Sequence, residues 1–201
     1  MKPVTNLDEL HALYGKPAEA AVRKVTSRLT KSYREWIGRS RFCVLTTVGP
    51  EGTDGTPRGD DGPVVHIEDD RTLLMPDWRG NNRIDALRNI VRDGRVSLLF
   101  LIAGCTVAMR VNGTAIVTID PEVIAKFGKD VKTPRSVVVI TIAEVYSQCA
   151  RALVRSGLWS MGDQSKDLPT VGQMLQEITE GEIESKTYDA GWPERAAKTM
   201  W

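Results

Sequence analysis

Two short segments hold most of the side chains able to do chemistry: TPRGDDG at 56–62 and MPDWRGNNR at 75–83. In the first, Arg58 and Asp60 flank Gly59, where a backbone without a Cβ lets a ligand approach closely. The second supplies Asp77, Asn81, Asn82 and Arg83 behind Met75 and Pro76. Ile84, Leu87 and Val91 recur at helical spacing just beyond it, which predicts a short amphipathic helix over 82–92. Asn81 or Asn82 is then the N-cap. That places Arg83 in the first turn, where the helix dipole disfavours a cation by roughly 0.3–1 kcal/mol. A bound anion would reverse the local sign. Two arginines, amide side chains and free helix N–H groups at a strand–turn–helix junction suit a phosphate ester. Taken singly, each residue also reads as a surface charge or a turn former. Arg110, beside Asn112 in the polar row of a strand, is a lone cation that asks for a partner.

Other chemistries find little support. There are two histidines; His11 falls in an N-terminal helix and His66 in an apolar strand, where a packed ring is the simpler reading. No G-x-S-x-G elbow, H-E-x-x-H pair or G-x-x-x-x-G-K-[ST] loop occurs. Cys43, Cys105 and Cys149 lie far apart in apolar settings, without metal-ligand spacing, and read as reduced small hydrophobes, so no metal site is expected. Net charge is +1 over 201 residues with acids and bases interspersed, which argues against nucleic acid. No apolar run is long enough for a membrane span, and the start of the chain lacks a signal-peptide core. The expectation is a cytoplasmic protein.

The elements that must position these residues are mostly strands. RFCVLTTV (41–48), VVHI, TLLM, RVSLLFLI (95–102), the long alternating stretch 107–119 and SVVVITIAEVY (136–146) predict at least six. Gly113 in the apolar row of 107–119 predicts a bend or bulge. Residues 49–63, dense in Gly, Pro and Asp, read as a turn region. Helices are expected at 6–14, then from Pro17 through Val22, Val25, Leu29, Trp36 and Ile37, and after a Thr170–Gln173 capping box. The organisation is an N-terminal helical extension (1–40), a barrel domain (41–160) and a C-terminal helical tail (161–201), one structural domain overall. Antiparallel strands with turns between them favour a barrel over a βαβ sheet.

FCVLTTVGPEGTDGTPRGDDGPVVHIEDDRTLLMPDWRGNNRIDALRNI, LLFLIAGCTVAMRVNGTAIVT and CARALVRSGLW together resemble the pyridoxamine 5′-phosphate oxidase-like flavin proteins. The similarity is strongest to a bacterial FMN-dependent subgroup marked by P-R-G-D, P-D-x-x-G-N-N-R and L-R-V-N-G, and covers roughly residues 20 to 160. It implies a mainly β (α+β) fold: an FMN-binding split β-barrel, antiparallel and Greek-key, with an interstrand helix and helical extensions at both ends. It further implies a homodimer with FMN at the subunit interface. Carried over by motif, Arg58, Gly59 and Asp60, then Pro76, Asp77, Asn81, Asn82 and Arg83, are cofactor-binding. Arg58 and Arg83 meet the phosphate, and the backbone from Met75 to Asp77 meets the ring. Arg110, in the Met109-Arg110 variant of the third motif, joins the set, and Trp159 is either a wall against the partner's flavin or a packed tryptophan. RGDDG lacks the lysine of enzymes that oxidise the vitamer, and the tail lacks their Arg-x-His motif. The implied function is therefore an FMN-dependent oxidoreductase of unknown small-molecule substrate that is not a true pyridoxamine 5′-phosphate oxidase, with no catalytic residue assigned. The alternative is a non-catalytic flavin-binding sensor or carrier. A haem-binding barrel is the weaker third reading, since His66 is its one strand histidine.

Overall fold

A computed structural model describes residues 1–128 and 132–200. The first helix, α1 (Leu7–Tyr14), starts where Asn6 accepts from the Glu9 N–H and ends at Gly15 with φ +66°. The expected long helix after Pro17 is two short ones, α2 (Glu19–Arg23) and α3 (Lys31–Ile37). Between them the backbone leaves the helix to pair with the sheet: Thr26 and Val145 exchange N–H···O bonds of 3.0 and 2.8 Å. Leu29 is buried there, and Thr30 then caps α3 by accepting from the Tyr33 N–H. The pairing of Thr26 with Val145 makes the break, and Thr30 supplies the N-cap from which a new helix starts.

Among the described residues the sheet has seven strands. β1 (Phe42–Gly49) and β2 (Gly52–Gly59) form a hairpin, so most of the expected turn region is a strand and the turn itself is confined to Pro50 and Glu51. β3 (His66–Ile67) and β4 (Thr72–Asp77) form a second hairpin. α4 (Asp85–Arg92) leads to β5 (Arg95–Leu101), β6 (Ala108–Thr118), the short α5 (Pro121–Ala125) and β7 (Ser136–Gln148). α6 (Arg151–Ser156), α7 (Val171–Ile178), α8 (Ser185–Ala190) and α9 (Trp192–Thr199) complete the chain, with the capping box of Thr170 and Gln173 formed as expected.

The strand order is β2-β1-β5-β6-β7-β4-β3, every neighbour antiparallel. β5, β6 and β7 follow one another, and β4 lies beside β7 across the long connection holding α4, a Greek key. Inward rows of Leu45, Leu98, Phe100, Val111, Ile140 and Val145 fill the core, each without exposed surface. Ala86 and Ile90 of α4 pack against it. β5 was expected to be apolar and buried on both faces; its inner row is buried and its outer row, including Leu99 and Leu101, is half-buried.

The register of β6 against β7 shifts between Asn112 and Gly113, the expected bulge. A Cβ on Gly113 would lie 2.0 Å from the Thr141 carbonyl oxygen, so the strands approach there only because the side chain is missing.

β2 and β4 stand near opposite ends of the strand order, yet their ends meet. Arg58 Nη1 lies 2.6 Å from Asp77 Oδ1, with 23% and 16% of the two side chains exposed. The sheet therefore curls until β2 meets β4, and an ion pair bridges the gap where no ladder forms.

Two outcomes are expected. Gly113→Ala destabilises the fold by about 1–3 kcal/mol, the cost of overpacking against a backbone that cannot move alone, measured by chemical denaturation. Asp77→Ala leaves the Arg58 guanidinium uncompensated and costs about 3 kcal/mol, the lower end for breaking a buried pair because both groups keep some solvent; the same measurement checks it.

Candidate functional site

The seam between β2 and β4 opens into a cleft of about 660 Å³. Arg58, Gly59 and Asp60 form one wall, and Met75, Pro76 and Asp77 the other. The loop Trp78–Ile84 forms the rim, so Asn81, Asn82 and Arg83 line the same cleft. Nine residues singled out in two segments of sequence are thus brought together.

Arg58 sits on the inward row of β2 with Asp54 and Thr56, opposite Cys43 of β1. Its Nη1 is held by Asp77, but its Nε is buried without a hydrogen-bond partner. A buried guanidinium N–H left unpaired is costly and suits an acceptor brought by a ligand. Burial pushes the Cys43 thiol up to about 12, against the opposing pull of the Arg58 charge, so that sulfur stays protonated and unreactive. Asp60 is fixed from both ends: its N–H donates to the Arg41 carbonyl at 3.1 Å and its Oδ2 accepts from Trp78 Nε1 at 2.7 Å.

The rim loop differs from expectation. α4 begins at Asp85 with Ile84 as N-cap, so neither Asn81 nor Asn82 caps it and Arg83 precedes the first turn. Asn81 instead closes an Asx turn, its Oδ1 accepting from the Arg83 N–H at 3.0 Å. Asn82 takes a left-handed φ of +60°. Asp85 occupies the first turn, where the dipole favours an acid, and binds Arg83 Nε at 2.9 Å. Arg83 therefore already has an anion beside it, and 80% of its side chain remains exposed for another.

Among the described residues, five arginines (41, 58, 79, 83 and 135) and three aspartates (60, 61 and 77) line the cleft, which makes that lining net positive. Asp61 is paired with Arg41, as Asp77 is with Arg58. No histidine lines it, so the arrangement offers anion binding and two opposed walls rather than a general acid–base pair. Arg41, Trp78 and Arg135 are cleft residues that sequence reading missed. Trp78 had a signal, since it lies inside the P-D-x-x-G-N-N-R segment. Arg135 had none: it is 53 residues from Asn82, whose Oδ1 it holds at 2.7 Å.

Arg110 and Trp159 lie outside this cleft. Arg110 points outward from β6 and donates to the Tyr146 hydroxyl at 3.1 Å, the partner its position asked for. Trp159 donates to the Cys105 carbonyl at 2.8 Å and lines a separate apolar groove with Phe42, Leu101 and Leu158. His66 is not a packed core ring: it is half exposed, 3.5 Å from Glu68 and edge-on to Phe127. Cys149 is likewise exposed, while Cys43 is buried. No helix among the described residues is long and apolar enough to cross a membrane.

The family model described as pyridoxamine 5′-phosphate oxidase matches residues 29–149, which contain the whole cleft apart from Met200. No curated protein matches the chain. Among solved structures, HupZ of Group A Streptococcus is 16% identical with a TM-score of 0.50, covering 60% of this chain and 94% of that one. A pyridoxamine 5′-phosphate oxidase-like protein of Lactobacillus delbrueckii is 25% identical, covers 60% and 95%, and gives 0.49. An FMN-binding protein of Syntrophomonas wolfei is 12% identical, covers 70% and 95%, and gives 0.43. With its antiparallel seven-stranded split barrel and a model match over more than half its length, the chain belongs to the pyridoxamine 5′-phosphate oxidase family.

Proposed function

We propose that the chain is an FMN-binding flavoprotein that works as an FMN-dependent oxidoreductase. The observation that carries this reading is the convergence of Arg58–Asp60, Met75–Asp77 and Asn81–Arg83 on one net-positive cleft. Family membership supports it, and the residues fit the group. The unpaired Arg58 Nε, the exposed Arg83 guanidinium and the Asn81 and Asn82 amides are donors suited to a phosphate monoester. The walls of Gly59 and Met75–Pro76 suit a flat apolar ring. Once bound, the flavin would supply hydride chemistry at N5, leaving the protein to orient it and tune its electronics.

The working form in this reading is a homodimer with the cofactor at the subunit interface. Val44, Leu99, Arg110 and Tyr146 align across four adjacent strands on the outward face, next to Phe42, which is 39% exposed. Arg110 and Trp159, outside their own cleft, would reach the partner's flavin from that face. The substrate is a small molecule other than pyridoxine phosphate, since the lysine and Arg-x-His contacts for it are missing. One observation favours the carrier alternative: among the described residues the three cleft carboxylates all have partners, Asp61 and Asp77 in ion pairs and Asp60 in the bond from Trp78.

The test is the absorption spectrum of the purified protein with the released cofactor identified by mass; FMN is expected. Arg83→Ala should weaken FMN binding by about 1.5 kcal/mol, the lower end for a charged hydrogen bond because Asp85 shares the guanidinium. Unchanged affinity in a fluorescence titration would remove the phosphate from this rim. Turnover across a panel of electron donors and acceptors separates the oxidoreductase from the carrier.

A further inference from the structure

Asn82 is held in an unusual way, and the hold determines what the cleft can recognise. A side-chain amide offers a carbonyl acceptor on one edge and two N–H donors on the other. Arg135 Nη1 lies 2.7 Å from Asn82 Oδ1, and a guanidinium can only donate. The amide orientation is therefore decided by chemistry: oxygen to Arg135, Nδ2 on the remaining edge. Arg135 is itself anchored, its backbone N–H donating to the Asp77 carbonyl at 3.0 Å at the end of β4. Asn81 uses its oxygen in the same way, on the Arg83 N–H.

Both consecutive amides thus engage their acceptors within the protein and keep their donors. Neither Nδ2 has a hydrogen-bond partner among the described residues. The side chains of Asn81, Asn82 and Arg83 thus present donors to the cleft: two amides and a guanidinium. Such a rim fits a group that only accepts, as a phosphate monoester dianion does, and rejects one that must donate. The left-handed φ of Asn82 suits this arrangement, because asparagine tolerates that region better than other residues with a side chain, whereas glycine would bring no donor.

We propose that Arg135 is a positioning residue of the cleft, acting through Asn82: it holds the amide oxygen and so turns the N–H edge to the anionic end of the ligand. The inference rests on the FMN reading above and adds a residue and a hydrogen-bond polarity to it.

Asn82→Asp tests the polarity. The carboxylate keeps the tie to Arg135, so the loop and the thermal unfolding midpoint stay as they are, but an acceptor replaces the donor. FMN affinity should fall about tenfold or more, the effect of losing one charge-assisted hydrogen bond, while riboflavin, which lacks the phosphate, binds as to the wild type. Arg135→Met and Asn82→Ala, alone and combined, test the route. If Arg135 acts through Asn82, its replacement costs FMN affinity in the wild type and no more than about twofold in the Asn82→Ala background. Full FMN affinity in Asn82→Asp, an equal loss of riboflavin, or losses that multiply in the double variant would each overturn the inference while leaving the FMN reading intact. A wild-type protein that binds no FMN overturns both.

Discussion

The Arg58–Asp77 ion pair joins strands that the sheet itself keeps apart. Six ladders hold the seven strands in one order, but none links β2 to β4. At that seam a backbone ladder is replaced by one side-chain contact of 2.6 Å between groups that are each more than three-quarters buried. Burying two charges costs desolvation, which a close pair offsets only partly. The seam is therefore a weak line in the barrel, and it is also where the backbone stays open enough to admit a ligand. Closing it with a ladder would stabilise the sheet and remove the cleft.

The other parts of the cleft are built outward from that pair. Asp77 ends β4, and its carbonyl receives the Arg135 N–H, so the β7 side of the cleft is referenced to the same residue. One residue further on, Trp78 reaches back across the seam to Asp60. The rim loop then turns through Asn81 and Asn82 into α4, whose apolar face is locked onto the core by Ala86 and Ile90. A loop tied at both ends and at its middle by Arg135 is suited to hold donors in place before a ligand arrives, which lowers the ordering cost of binding.

Charge sign is managed by the same local pairings. Asp85 rather than Arg83 occupies the first turn of α4, so the helix dipole is complemented by the protein alone. Arg83 is left outside the turn, shared between Asp85 and solvent. The positive character of the cleft thus comes from an excess of arginines, with amides whose oxygens are committed, more than from a bare helix end.

Much of this could be read along the chain. Alternation in 107–119, the bulge at Gly113, the Asn6 cap, the Thr170–Gln173 box and the two segments that line the cleft all depend on residues within a few positions of one another. Short-range periodicity and capping chemistry are carried by the sequence itself. β2 was not legible, because its inward row of Asp54, Thr56 and Arg58 is polar, with Thr56 and Arg58 lining the cleft, and strand pattern is recognised by apolar alternation. The break between α2 and α3 was hidden for another reason: Thr26 leaves the helix to bond Val145, 119 residues away. By itself the sequence determined which residues could bind an anion and that strands would carry them. The tertiary structure alone decided that Arg58 would bridge to Asp77, that Asn82 would show its donors and that Arg135 would make it do so. Those outcomes depend on which groups a curled sheet brings within hydrogen-bond range, and that range is set by closure of the chain over tens of residues, not by local pattern.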